Sequence, residues 1–269
     1  MSKIRKRHKK LENASENPVG WPSWFKEIDH PVKREMLSHV FKKNPRLGEI
    51  YFVVQMMQIN YILFRKNYEE LVRLEKQFNT PMNFQELTFQ TDKGREMAQD
   101  AIIEFTRLLH NFLASSNMLV DVTRRWVEHQ FKATKFLKEY KDEIAIKFTN
   151  NVQAQFLKDL RNFTLHRTLP LAIPKLRMQE IDEHHLKSSL GIVLVKAYLL
   201  QWDKWSELGR IQIQMAFESE LDIQTIINQH FDNETKFMQW LFWRVREQYD
   251  EEVNYINSAL ESLGKKYDT

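Results

Sequence analysis

Apolar residues recur at Ile50, Val53, Val54, Met57, Tyr61, Phe64, Tyr68, Leu71 and Leu74. Three-four spacing held over so many turns specifies an amphipathic helix, because such positions share one face of a 3.6-residue spiral. Asn44 is placed to cap it, and Pro45 suits the first helical position, where its missing N–H is no loss. The expected helix covers roughly 30 residues and 45 Å. The same spacing returns twice. Thr91 or Asp92 opens a run through Met97, Ile102, Phe105, Leu108, Leu109, Phe112, Leu119, Trp126 and Val127. This run is expected to reach about Tyr140, with a bend at the "ASSN" of residues 114–117. Asp222 opens another through Ile223, Ile226, Ile227, His230, Phe237, Trp240, Leu241, Val245, Tyr249, Val253, Ile256 and Leu260, and Gly264 is read as its stop.

Only 6 Gly and 7 Pro occur in 269 residues, so turns are few and helices long. The fold class expected is all-α: a bundle of long antiparallel helices. One short irregular or extended insertion interrupts it. Residues 168–187 contain two prolines and break the helical pattern, and they are expected to run extended, as a small hairpin with residues near Lys187–Val195. A motif helix is expected over about residues 151–167. Residues 21–269 read as a single all-helical domain, starting with a short helix at "WPSWF" where Ser23 is a candidate cap.

Residues 1–20 read as a flexible basic tail. The net charge is +4, and "MSKIRKRHKK" alone carries six cations, which leaves the body near −2. The basic balance is therefore a property of the tail, which is suited to phosphates. Cys is absent, which excludes disulfides, Cys-based zinc sites and thiol nucleophiles, and fits a cytoplasmic setting. No leader is expected, because no apolar run follows the basic start. No membrane association is expected either. The apolar stretches "IYFVVQMMQINYILF" and "LGIVLVKAYLL" are interrupted or short of a span.

The segment "FLKDLRNFTLHRTLP", Phe156–Pro170, carries the densest chemistry. On a helix, Val152, Phe156, Leu160 and Phe163 share a packing face, with His166 at its edge. Asn162 lies four residues before His166, within reach of it. Arg161 points about 140° away from His166, and Leu165 lies beside Arg161 on that far side. A leucine there suggests a second contact surface. A purely structural reading pairs Arg161 with Asp159 or an acid elsewhere, lets Asn162 cap or bond a neighbouring backbone group, and places His166 favourably at a helix C-terminus.

"RNFTLH" is Arg-x4-His with Asn directly after the Arg, and it resembles the signature of the HEPN superfamily. The surrounding long-helix bundle is similar too. The motif spans six residues, the helical context about 45–170, and residues 171–269 are not covered. HEPN proteins are all-α, commonly dimeric, and many are metal-independent ribonucleases in toxin–antitoxin, defence and RNA-processing systems. The resemblance implies that His166 acts as general base or acid on the ribose 2′-OH, that Arg161 holds the scissile phosphate, and that Asn162 orients His166 or contacts the phosphate. It implies a homodimer in which two motif helices face each other, RNA as substrate, an antitoxin or other partner protein, and no cofactor. The expected products are a 2′,3′-cyclic phosphate and a 5′-hydroxyl.

Other constellations are less specific. Asn117 and Asp121 lie one turn apart, with Asp121 in reach of Arg124 and Arg125. This polar cluster is either support for the motif helix, a phosphate site or a solvated ion pair. "DEHH" at Asp182–His185 lacks a His-x3-His partner, which argues against a metal. His110 and His129 are isolated. Trp240 and Trp243, interleaved with Arg244 and Arg246, read as core and solvated charge rather than a base-stacking stripe. No Gly-rich phosphate loop or Gly-x-Ser-x-Gly elbow occurs. Two readings compete with the ribonuclease: a catalytically inactive helical interaction or dimerisation module, and a nucleic-acid-binding protein using the basic tail.

Overall fold

The computed structural model of the chain describes residues 31–80, 83, 85–86, 91–182, 185–216 and 219–267. The basic tail and the helix expected at Ser23 lie outside them. Helices dominate: α1 (Pro31–Lys43), α2 (Pro45–Phe78), α3 (Asp92–Gln130), α4 (Lys135–Ile144) with a π-helical turn (Ala145–Thr149), and α5 (Val152–His166). After a hairpin come α6 (Lys196–Leu199), α7 (Glu207–Gln214), α8 (Ile223–Gln248) and α9 (Asp250–Tyr267). The fold is mostly all-α, as the apolar periodicity predicts. For the described residues, one compact unit runs from Met56 to Phe237, and the other joins the residues up to Gln55 with Met238 onward.

Within Met56–Phe237 the core is aromatic. Phe64 of α2 meets Phe112 of α3 at 5.3 Å and Phe231 of α8 at 5.4 Å between ring centroids. Tyr68 stacks on Phe231 at 3.7 Å, and its hydroxyl donates to Asn228. Tyr61 bonds Thr235, so residue numbers rise along α2 as they fall along α8 and the two helices are antiparallel. Phe64, Phe112 and Leu109 are essentially without exposed surface. Each such side chain contributes about 1.5–3 kcal/mol by leaving water.

Caps fix where helices start. Thr91 Oγ1 accepts from Gly94 N at 2.9 Å, so Thr91 is the N-cap of α3. The helix runs unbroken through residues 114–117 but ends at Gln130, not near Tyr140. The chain turns at Ala133, whose φ of 62° is left-handed, and Thr134 then caps α4. The last apolar run is also two helices, broken at Tyr249. Asp250, Glu251 and Glu252 favour a new N-terminus through the helix dipole. Gly264 lies inside α9, which continues to Tyr267, so it is not the stop that its position suggests.

The extended insertion is a hairpin, as expected, with its turn between Asp182 and His185. β1 (Ala172–Asp182) and β2 (His185–Val195) pair antiparallel from Ala172↔Leu194 to Asp182↔His185. Among the described residues, β3 (Glu220–Leu221) alone adds to β2, giving the order β1-β2-β3. Asn79, just beyond α2, donates to Leu190 O at 3.0 Å and accepts from Leu190 N at 2.8 Å. Its amide thus satisfies a backbone pair on the free side of β2.

In the other unit, the Phe41 and Tyr51 rings lie 5.3 Å apart, and Arg46 pairs with Glu252 at 3.4 Å. Arg244 pairs with Glu247 and Arg246 with Asp250, so both cations beside Trp240 and Trp243 have carboxylate partners. Among the described residues, α2 alone is long and apolar enough to cross a membrane by length and composition. Its buried Val54, Met57, Tyr61 and Phe64, together with the buried polar Asn60, fit a core helix.

Candidate functional site

Helix α5 carries the motif. Asn151 Oδ1 accepts from Ala154 N at 2.9 Å and opens the helix, and Arg167 N closes it on Phe163 O at 3.0 Å. Of the face expected to pack, Phe156, Leu160 and Phe163 have no exposed surface, and Val152 in the first turn is half-buried. Phe163 meets Trp202 edge-on at 5.6 Å and stacks on Trp205 at 5.7 Å. Asp159 is buried as well. It accepts from Ser206 N at 2.8 Å and from Ser206 Oγ at 2.6 Å, so it fixes the start of α7 and is not the partner of Arg161.

The motif residues divide between two places. Arg161 is half-buried and lines a partly open cavity of about 90 Å³. His166 is exposed at the last turn, between exposed Leu165 and Arg167, with Leu169 also exposed. Asn162 is half-buried and is not among the cavity residues. Among the described residues, no hydrogen-bond or ion-pair partner meets the side chains of Arg161, Asn162 or His166. Five residues at about 100° each set Arg161 about 140° from His166. One chain therefore does not join its motif cation to its motif imidazole on one face.

The cavity gathers residues that lie far apart in the sequence. Ser116 and Asn117 come from α3, Phe148 from the π turn, Lys158 and Arg161 from α5, and His230 from α8. Asn117 thus shares a wall with Arg161. It donates to Asp121 Oδ2 at 2.9 Å, while Arg124 pairs with Asp121 Oδ1 at 2.9 Å and Arg125 bonds Asp121 O at 3.2 Å. Arg124 and Arg125 are exposed and do not line the cavity.

The buried polar cluster behind this wall went unread in the sequence. Ser116 Oγ donates to Glu234 Oε2 at 2.9 Å and stands 3.1 Å from His230 Nε2. His230 Nε2 lies 3.1 Å from the same Glu234 oxygen. His230 is 6% exposed and Glu234 1%, and Glu234 Oε1 has no partner. This is not a nucleophile triad. There the acid holds the imidazole through its second nitrogen, leaving the first to take the serine proton. Here the carboxylate occupies both the serine and the nitrogen facing it. The sequence signal was present: a histidine on an otherwise apolar stripe, with a glutamate one turn on.

Asp182 and His185 sit at the end of the hairpin, and Glu183 and His184 lie outside the described residues. Among the described residues, no three His, Asp or Glu side chains gather as a metal site. His110 is half-buried and His129 exposed. A second, more open depression of about 500 Å³ is bordered by Gln153, Gln229, Lys175 and Glu220. No family model, curated protein or solved structure matches the chain.

Proposed function

We propose that the protein is a metal-independent RNA endonuclease of the HEPN kind, active as a homodimer. The observation that supports this reading best is the exposed, unpartnered His166 on the helix that also carries Arg161, about 140° away. A second copy seated on the exposed Leu165 and Leu169 supplies what one chain leaves apart. Arg161 of one copy and His166 of the other then meet across the paired motif helices.

In that site, His166 takes the proton from the ribose 2′-OH, a task that suits imidazole near neutral pH. The freed oxygen attacks the adjacent phosphorus. Arg161 holds the non-bridging oxygens through its planar fork and stabilises the extra charge of the transition state. The bond to the 5′-oxygen breaks, that oxygen takes up a proton, and the products are a 2′,3′-cyclic phosphate and a 5′-hydroxyl. Asn162 orients His166 or contacts the phosphate. No metal ion enters any step. The setting proposed is a bacterial cytoplasm, in a toxin, defence or RNA-processing role, with an antitoxin or similar protein as regulator.

The turn of Arg161 into the cavity favours a second reading, in which the same bundle is a catalytically inactive dimerisation module. Labelled RNA incubated with the protein in EDTA, beside His166→Ala of equal folded content, separates them. Cleavage that ignores EDTA and is lost in the variant supports the ribonuclease. Intact RNA across diverse substrates supports the inactive module.

A further inference from the structure

The half-buried arginines among the described residues are Arg65, Arg161, Arg177, Arg244 and Arg246. Four of them are paired, with Glu69, Asp222, Glu247 and Asp250 respectively. Arg161 has no carboxylate partner among the described residues, although it lines a partly open cavity. A guanidinium drawn partly out of water without a counter-ion is a net cost to the fold. Lys158, three residues earlier, lines the same cavity from the same face of α5 and has no ion-pair partner either.

The opposite wall is polar and held in place. His230 borders the cavity, and Ser116 and Glu234 fix its Nε2 side. Among the described residues, no carboxylate lines the cavity itself. Asp121, the nearest acid along α3, already takes Asn117 and Arg124. The cavity lining therefore carries the two positive charges of Arg161 and Lys158, Arg161 half-buried and Lys158 exposed. Leu113, Phe148 and Leu157 give the partly open pocket an apolar wall, beside which charge-assisted bonds are stronger than in bulk water.

We propose that this cavity binds one phosphoryl-type oxyanion, clamped by Arg161 and Lys158 against His230 and Asn117. A volume of about 90 Å³ is about three waters' share of the liquid. That suits a single tetrahedral group, and a larger ligand enters by its phosphoryl end. The Arg161 fork bridges two of the oxygens, and Lys158 adds a point charge. One chain supplies every wall, so the site depends neither on a second copy nor on RNA cleavage.

The probe is inorganic phosphate, titrated calorimetrically into the full chain at constant ionic strength, with chloride as the control. The expected result is saturable one-to-one binding. Arg161→Gln weakens it by about tenfold or more, the loss expected for a hydrogen bond to a charged group. Lys158→Gln weakens it by at least about threefold, and His129→Ala, at an exposed residue outside the cavity, leaves it unchanged. Lys158 is exposed, so its variant keeps the fold if Arg161→Gln does not, and circular dichroism checks both. No saturable binding, or equal affinity in wild type and both cavity variants, overturns the proposal. Phosphate binding without RNA cleavage leaves it standing and removes the ribonuclease reading. Cleavage without phosphate binding does the reverse.

Discussion

His230 Nε2 and Glu234 Oε2 stand 3.1 Å apart, one turn from each other on α8, and both side chains are buried. Such a pair is far more sensitive to loss of one member than of both. His230→Leu strands a buried carboxylate and is expected to cost about 3–5 kcal/mol. Replacing both residues by Leu is expected to restore most of that, because a buried pair exchanges for apolar groups at little net cost. Urea denaturation of the three proteins measures the difference. Equal losses in the single and double variants would show that the two groups are not coupled.

Asp159 links α5 to α7 through Ser206, whose Oγ also accepts from Gly209 N at 3.1 Å. A Cβ on Gly209 would lie 2.3 Å from Asp159 Oδ2, so that position has no room for a side chain while the carboxylate is there. Gly209→Ala is expected to cost about 1–3 kcal/mol by displacing the carboxylate. In an Asp159→Ala background the obstacle is gone and the same change costs much less. A double-mutant cycle should return a coupling above about 1 kcal/mol. Simple additivity would contradict the contact.

The side chain of Asn79 makes both hydrogen bonds that the backbone of Leu190 offers on its outer edge. Asn79→Ala leaves a partly buried N–H and C=O without partners. The expected loss is about 1–3 kcal/mol, with faster amide exchange at Leu190 than at β2 positions paired to β1. Unchanged exchange at Leu190 would mean that water replaces Asn79 without cost.

Tyr140 is buried, and among the described residues its hydroxyl has no partner. Burial pushes its ionisation well above the ordinary phenol value. The Glu128 charge adds to this, and Arg124 opposes it. Because the folded value lies above the unfolded one, the contribution of Tyr140 to stability is intact below about pH 10. It declines as the pH rises above that. Tyr140→Phe is expected to flatten this alkaline loss. At neutral pH it should be neutral or stabilise by up to about 1 kcal/mol, since no bond is given up. Thermal melts at neutral and alkaline pH test both parts, and a clear loss of stability at neutral pH would reveal a hidden partner for the hydroxyl.

What was legible in the sequence was whatever repeats along the chain. The three-four spacing of Phe156, Leu160 and Phe163 set the buried face of α5, and Asn151 and Thr91 marked true helix starts. Breaks without glycine were not legible. Ala133 turns left-handed, and α8 gives way to α9 at Tyr249 with the apolar spacing intact. The cavity was invisible for another reason. Ser116 and His230 lie 114 positions apart, and only the packing of α3 against α8 makes them neighbours. Arg161 was found by its motif, whereas its surroundings were set by helices that the motif does not mention.

The ribonuclease account rests on Arg161 and His166 acting from different copies, and subunit mixing tests this most directly. Arg161→Ala and His166→Ala are each purified, unfolded together, refolded at equal concentration and assayed on RNA in EDTA beside wild type. Each variant alone is expected to be inactive. In the mixture half of the dimers pair one variant with the other, and each of these has one intact site of two, so about a quarter of wild-type activity should return. A mixture that stays inactive beside a cleaving wild type would contradict the shared site, and a wild type that leaves RNA intact would contradict the ribonuclease itself.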